Sequence, residues 1–384
     1  MKTAGIIAEY NPFHSGHAYQ IARTRALGYT HICAVMSENA VQRGDIAILD
    51  AHSRAKAAIS GGADLVIGLM PPYSIGSARD FASAGVSILK GLGAVDAISF
   101  GAESDDTRAL CRCAEYLEKI DKDELKRLMS AGLTYPQALT KALNQLGDGF
   151  GEILSTPNNV LALEYIRAIK DSGIIPIAIK RTAAHDGLTP SGSYASASYL
   201  REKMLSGGDV GDFLGYDYDR ADVSGMERIE NAILWRLALA SPEEILQAPY
   251  TGGGIGQRII KNAMTVRNLG ALFDAAKTRN VTHARVRRAV LAIALGITAE
   301  DVQTPPYARV LAANARGLEI LAECKRRVSI PISTSLADLS KVSEHAHRCA
   351  QLSERASWLR FLARADAKNE AYVSEMARKA VIIK

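Results

Sequence analysis

The sequence predicts an α/β protein, a parallel sheet with crossover helices in its first half followed by a mostly helical second half. Three observations carry this expectation. Short apolar runs alternate with amphipathic stretches through the first 100 residues, as strands buried on both faces and joined by helices do. The same helix–strand–helix rhythm returns between residues 157 and 205. Beyond about residue 206 nearly every stretch follows a helical period, interrupted by the glycine-rich break Tyr250–Gly256.

Taken in order, Thr3–Ala8 reads as a strand, His17–Ala26 as a helix, His31–Met36 as a second strand and Leu49–Ser60 as a helix. Asp64–Leu69, Ser77–Leu89 and Asp96–Phe100 repeat the pattern. Residues 104–148 read as a helical insertion with a charged, solvated face. A helix from about Pro157 to Lys170 leads into the strand Ile174–Lys180, then a Ser/Gly/Thr-rich loop holding His185 and Asp186, then a helix starting near Ser196. Ser206-Gly207-Gly208-Asp209 opens a Gly/Asp-rich stretch. The domain boundary is placed there, giving a sheet domain over 1–206 and a helical domain over 207–384.

Composition narrows the class. The 384 residues are 48% hydrophobic and 23% charged, which excludes a disordered chain. No apolar run approaches the roughly 20 residues of a spanning helix. The apolar stretch at the start is too short for a signal peptide and closes on Glu9. Five loosely spaced cysteines suggest no disulfide framework, and Cys111-Arg112-Cys113 has no companion pair to make a zinc site. The expectation is a cytoplasmic protein with no membrane contact and no bound structural metal. Lys+Arg and Asp+Glu are 21 each over residues 1–206, but 25 against 20 over the rest. A polyanion would therefore be held by the second half.

Parallel sheets bind ligands beyond the carboxyl ends of their strands, so the loops after Ala8, Met36 and Phe100 matter most. The first contains His14-Ser15-Gly16-His17. Two histidines three apart flank a glycine where a strand hands over to a helix. The glycine admits a phosphate close to the backbone, and the helix start offers free N–H groups and a positive dipole end. The imidazoles can donate to phosphoryl oxygens as charge builds in a transition state. The plainer reading is one histidine at the cap and one packed on the sheet.

His14-Ser15-Gly16-His17 resembles the HxGH signature of the nucleotidylyltransferase superfamily, whose Rossmann-like domains act at the α-phosphate of a nucleotide. The longer stretch Gly5-Ile6-Ile7-Ala8-Glu9-Tyr10-Asn11-Pro12-Phe13-His14-Ser15-Gly16-His17 is similar to the start of the bacterial tRNA(Met) cytidine acetate ligases. Met36–Gly44, Gly62–Val66, Ser99–Glu103 and Thr156–Ala162 also resemble that family. The resemblance implies an ATP-dependent ligase that activates acetate as acetyl-adenylate. It would then acetylate N4 of the wobble cytidine of elongator tRNA(Met), with Mg²⁺ accompanying ATP. It implies His14 and His17 as catalytic residues, and ATP contacts from Ile7 through His17 and from Gln20, Gly101 and Asn159. Gly101 alone could equally be a turn glycine, and Asn158 or Asn159 a helix cap.

The remaining candidates follow from position. Gln42 and Arg43 sit beyond the second strand, where an arginine could meet phosphate or the carboxylate of an acid. Lys180 and Arg181 end the fifth strand and suit a triphosphate. Ser196-Ala197-Ser198-Tyr199-Leu200-Arg201 resembles the second superfamily signature, although Ser196 by itself reads as an N-cap. Lys277, Arg279, Arg285, Arg287 and Arg288 lie in a twelve-residue run without an acid. They are candidates to hold the anticodon arm, with a charged helix face as the plainer reading. The family pattern is broken where Glu38 and Ala40 replace a glycine and an aromatic, and where Gly68-Leu69-Met70 replaces Glu-Leu-Pro. Glu38 is thereby expected to set a carboxylate near the phosphates, where it would repel anions unless it faces away. Two other functions fit the residues: nucleotidyl transfer to a small phosphorylated metabolite, or nucleotide and RNA binding with weakened turnover.

Overall fold

The computed structural model describes residues 1–145, 150–181, 192, 194–366 and 370–383; His185 and Asp186 lie outside them. Strand β1 (Thr3–Ala8) leads through helix α1 (Ser15–Ala26) to β2 (His31–Ser37). Helix α2 (Ala51–Ser60), β3 (Leu65–Leu69), α3 (Ala78–Leu92) and β4 (Ala97–Ala102) follow. Among the described residues, four helices follow between Thr107 and Leu154, the last of them (Phe150–Leu154) beyond the stretch 104–148. Then come α4 (Pro157–Ala168), β5 (Ile175–Lys180) and α5 (Ala197–Leu205). The sequence-predicted strands and helices are therefore present, with ends shifted by a few residues.

Side-chain alternation explains the sandwich. Ala4 and Ile6 of β1 pack with α1 and α2 on one face of the sheet, whereas Ile7 joins α3 and α4 on the other. Successive residues of a strand point to opposite faces, so a run apolar at every position serves both layers. Helix starts are set by side-chain caps. Asp50 accepts from the His52 nitrogen at α2, and Ser77 caps α3 ahead of Asp80 in its first turn.

The chain then departs from the expected boundary at residue 206. After a helical region that includes α6 (His283–Leu295), β6 (Ala308–Ala313) enters the main sheet antiparallel to β3. Helices α7 (Ala315–Cys324) and α8 (Glu344–Leu362) follow, and β7 (Val381–Ile382) pairs parallel with β6. The order is β7-β6-β3-β2-β1-β4-β5. All six residues of β6 are buried, so the second half completes the sheet instead of standing apart from it. The helical core gathers Met226 through Ile297 with Leu352, Ala356 and Ala363 around α8, and takes in Ala40, Ile46 and Ile75 from the first half. Among the described residues, no helix is long and apolar enough to cross a membrane.

β1 lies between β2 and β4, and successive connections run outward from it in both directions. This is the topological switch point, where a crevice opens beyond the carboxyl ends of the strands.

Candidate active site

The loop from β1 to α1 occupies that crevice and is fixed at several points. Tyr10 takes a left-handed φ of +46° while fully buried, with its ring edge-on to Phe13 at 4.9 Å and His17 at 4.8 Å. A left-handed non-glycine residue persists only where surrounding packing holds it. Asn11 Oδ1 accepts from the Ile48 nitrogen at 2.7 Å, and the Tyr216 hydroxyl donates to the Phe13 carbonyl at 3.1 Å.

The two histidines form a capping box, which explains their spacing of three. His14 is the N-cap of α1 and its Nδ1 accepts from the Gly16 nitrogen at 3.0 Å. His17 returns the contact, its Nδ1 accepting from the His14 nitrogen at 3.3 Å. The rings lie 3.9 Å apart, and a Cβ on Gly16 would stand 2.8 Å from His14 Cε1. With both Nδ1 atoms accepting, the ring proton of each neutral imidazole sits on Nε2. Burial, then the Arg181 and Arg201 guanidinium groups, lower His14 to about 3. Burial, then His14 and Arg181, hold His17 well below its ordinary value. Both are consequently neutral N–H donors at physiological pH.

Arginines from three other segments, two loops and helix α5, converge here. Arg201 Nη1 donates to the Asn11 carbonyl at 2.8 Å and Nη2 to Ser198 Oγ at 3.1 Å. Arg43 Nη1 reaches the same Ser198 oxygen at 3.3 Å. Arg181 follows β5 and lines a cleft with His14, Gly16, His17, Gln20, Gly101 and Lys180. Burial, and then charges that include Arg43, lower both Arg181 and Arg201, though Glu103 and Glu9 respectively oppose the shift. Mutually repelling guanidinium groups held together in this way concentrate positive charge at the cleft, which suits an anion. Lys180 is exposed at its rim, 3.9 Å from Asp105. Gln42 is half-buried beside Arg43.

The cleft encloses about 450 Å³ of space open to solvent. Gln20 Nε2 donates to the Ser99 carbonyl at 3.1 Å, tying α1 to β4. A Cβ on Gly101 would make ordinary contact with Arg181 at 3.5 Å, so this glycine leaves room instead of relieving a clash. Tyr19 and Tyr194 also line the cleft, their rings 6.1 Å apart. Sequence reading missed both. Asn159 works one layer back, its Oδ1 accepting from the Glu103 and Ser104 nitrogens at 3.0 and 3.1 Å. Ser196 caps α5 by accepting from the Tyr199 nitrogen at 3.1 Å.

Tertiary contacts place two groups of charges that the sequence left open. Glu38 does not face the phosphates; it is 3% exposed, with its carboxylate 3.8 Å from Arg309. Burial raises its carboxyl above the usual range, against the pull of Arg309. The basic run also divides. Arg287 pairs with Asp45, Arg288 lies 5.4 Å from the Tyr250 ring, and Arg285 donates to the Tyr250 and Gly252 carbonyls. Lys277 and Arg279 are exposed. The three α6 arginines are thus engaged within the protein.

Sequence reading also missed Arg54. Its side chain is 0% exposed, and its guanidinium donates to the carbonyls of Leu49, Glu9, Ser37 and Glu38 at 2.9, 2.7, 2.9 and 2.5 Å. It ties the ends of β1 and β2 together below the histidine loop. Burial, then Arg360, lower it to about 10, so it remains charged. Replacing Arg54 by Met would strand four carbonyls, at about 1–3 kcal/mol for a buried unsatisfied group. We expect a loss of at least 3 kcal/mol on that scale in urea unfolding, with Arg54→Lys recovering part of it. Equal stability of Arg54→Met and the wild type would refute the bridging role.

Asp50, His52 and Glu375 bring ligand atoms within 4.8 Å of one another. Arg378 pairs with Asp50 at 2.5 Å and Arg309 with Glu375 at 2.7 Å. Arginines already meet that charge, as in a structural ion-pair network.

Neutral imidazoles at a strand–helix turn, with guanidinium groups converging from other segments, suit stabilisation of an α-phosphate under attack. The class of protein so defined is the HxGH nucleotidylyltransferases. A family model described as HIGH Nucleotidyl Transferase matches residues 1–373. A tRNA(Met) cytidine acetate ligase of Acetivibrio thermocellus is 33% identical over 372 residues, covering 89% of this chain and 90% of its own. One from Syntrophotalea carbinolica is 34% identical, covering 88% and 85%. The crystal structure of apo Thermotoga maritima TmcAL superposes with a TM-score of 0.93 at 24% identity over the whole of both chains. The same protein bound with alpha-thio ATP gives 0.89 at 24% identity, again over both chains. The chain belongs to the HIGH nucleotidyl transferase family and, within it, to the tRNA(Met) cytidine acetate ligase family.

Proposed function

We propose that this protein activates acetate with ATP and transfers the acetyl group to N4 of the wobble cytidine of elongator tRNA(Met). An acetate oxygen attacks the α-phosphorus, the bond to the bridging oxygen breaks, and pyrophosphate leaves with the electron pair. The cytidine N4 amine then attacks the acetyl carbonyl, AMP leaves, and N4 gives up a proton. Nε2–H of His14 and His17 donates to the α-phosphate oxygens as their charge grows. Arg181, Arg201 and Lys180 hold the β- and γ-phosphates, while Arg43 and Gln42 meet phosphate or acetate. Gln20, Gly101, Tyr19 and Tyr194 border the nucleoside, and the start of α5 at Ser196 supplies backbone donors.

The neutral histidine pair within the arginine ring carries this reading. The names of the relatives from Acetivibrio and Syntrophotalea support the tRNA substrate, and the alpha-thio ATP complex of the Thermotoga protein supports ATP. Mg²⁺ would be held chiefly by phosphate oxygens and water. Glu9, with a buried Oε1 that has no hydrogen-bond partner among the described residues, is the carboxylate that fits it. The ion would neutralise charge on the departing pyrophosphate. Exposed Lys277 and Arg279 would meet the anticodon arm by phosphate contact, in the cytoplasm where tRNA and ATP are found.

The test is incubation with bulk bacterial tRNA, ATP and isotopically labelled acetate, followed by nucleoside mass spectrometry. Labelled N4-acetylcytidine is the expected product. Pyrophosphate release without it would mean another acid or acceptor, and no pyrophosphate release would overturn the ligase reading.

A further inference from the structure

The turn that carries Arg43 is built into the helical half of the protein. Its two short strands, Ala40–Val41 and Asp45–Ile46, pair antiparallel, and Ala40 and Ile46 are buried in the helical core. At the tip, Gly44 has a φ of +72° and presses on α6. A Cβ there would stand 2.4 Å from the Arg288 nitrogen and 2.5 Å from the Arg287 carbonyl carbon. No side chain can replace that hydrogen without separating turn from helix.

Beside the tip, the Asp45 carboxylate pairs with Arg287 and also accepts from the Ile46 nitrogen at 2.9 Å. Arg287 is steadied from the helical side, its guanidinium carbon 5.4 Å from the centre of the Phe273 ring. The other side of the same turn faces the crevice, where Arg43 shares Ser198 Oγ with Arg201. One seven-residue turn therefore carries an ion pair to the helical half and a guanidinium to the phosphate site. Arg287 gives its Nη2 to this carboxylate, so that donor serves the turn and not a phosphate.

We propose that Arg287, through Asp45, is a positioning residue for acetyl-adenylate formation: it seats the 40–46 turn on α6 so that Arg43 meets the phosphates beside Arg201. The inference rests on the activation reading above. It makes the helical half a structural part of the adenylation site, with Arg287 acting before any RNA is present. Repulsion among Arg43, Arg181 and Arg201 pushes the turn outward in the absence of ATP, and the Asp45–Arg287 pair with the Gly44 contact opposes that push.

The test is acetate-dependent exchange of labelled pyrophosphate into ATP, without RNA, on the full chain. Arg287→Ala should lower kcat/KM for ATP by roughly 10- to 100-fold, the range expected when a binding group is displaced by about 1 Å. Its melting temperature serves as a check on folding. Arg287→Lys, which keeps a cation opposite Asp45, should recover most of the loss. In an Arg43→Ala background, Arg287→Ala should cost less than about 2-fold more, because its effect passes through Arg43. Losses that multiply in the double variant would overturn the proposal. So would unchanged exchange by Arg287→Ala accompanied by weaker tRNA binding, which would make Arg287 an RNA contact. Absence of exchange by the wild type would refute the activation reading itself, and the proposal with it.

Discussion

Replacing His17 by Ala is expected to lower the rate of pyrophosphate exchange by about two to three orders of magnitude, the usual cost of removing one preorganised donor to a developing charge. ATP binding should change much less, because the arginines hold the phosphates in ground and transition states alike. The imidazole is held neutral by burial first and then by His14 and Arg181, so the wild-type rate should show no histidine titration between about pH 5 and 8. Stability should behave differently. Both folded-state histidines lie below the unfolded value of about 6.5, His14 at about 3, so the unfolded chain binds protons that the folded chain refuses. Their contribution is fully present above pH ~6.5 and declines as pH falls towards the folded values, by about 1.4 kcal/mol per pH unit for each histidine. Urea unfolding at pH 7 and pH 5 reads this directly. His14→Gln, which cannot titrate, should show a shallower fall. A full rate in His17→Ala would remove His17 from the mechanism, and an unfolding free energy independent of pH would contradict the neutrality of both histidines.

What could be read in the sequence was local. Strands buried on both faces announce themselves as unbroken apolar runs, and His14-Ser15-Gly16-His17 is a complete capping box within four residues. The features that were missed depend on partners far along the chain. Ala308–Ala313 is an alanine-rich run that periodicity cannot tell from helix, and it becomes a strand because β3 offers it an open edge. Arg54 sits in the Ala-His-Ser-Arg-Ala-Lys run of α2 and resembles a solvated helix cation. Nothing nearby in sequence reveals that it meets carbonyls from both β1 and β2. The arginines after residue 284 look like an RNA patch until Asp45, some 240 positions earlier, takes Arg287. Charge counting finds the cations, but only tertiary contact shows which are already engaged.

The same limit governed Glu38 and Gly68, and here the structure makes a sharp prediction. Gly68 lies on β3 between Met36 of β2 and Arg309 of β6. Glu38, just beyond β2, folds its carboxylate over it, so that a Cβ at position 68 would meet Glu38 Oε1 at 2.5 Å. Arg309 is 1% exposed and faces this carboxylate and that of Glu375. There is room for one acid, reached from either strand, and the family resemblance places glycine at 38 where it places glutamate at 68. The two departures are therefore one exchange. Gly68→Glu alone should destabilise by about 3–5 kcal/mol, through overpacking and a second acid buried against the first. Glu38→Gly alone should cost about 2–4 kcal/mol, by leaving a cavity and under-compensating Arg309. The double exchange should return to within about 1 kcal/mol of the wild type, a coupling well beyond the 0.3–0.5 kcal/mol scatter of independent sites. Urea unfolding of the four proteins measures it. If the losses in the double variant simply add, the two positions do not share a carboxylate site; if they cancel, the acid serves Arg309 within the sheet and has no part in repelling ATP.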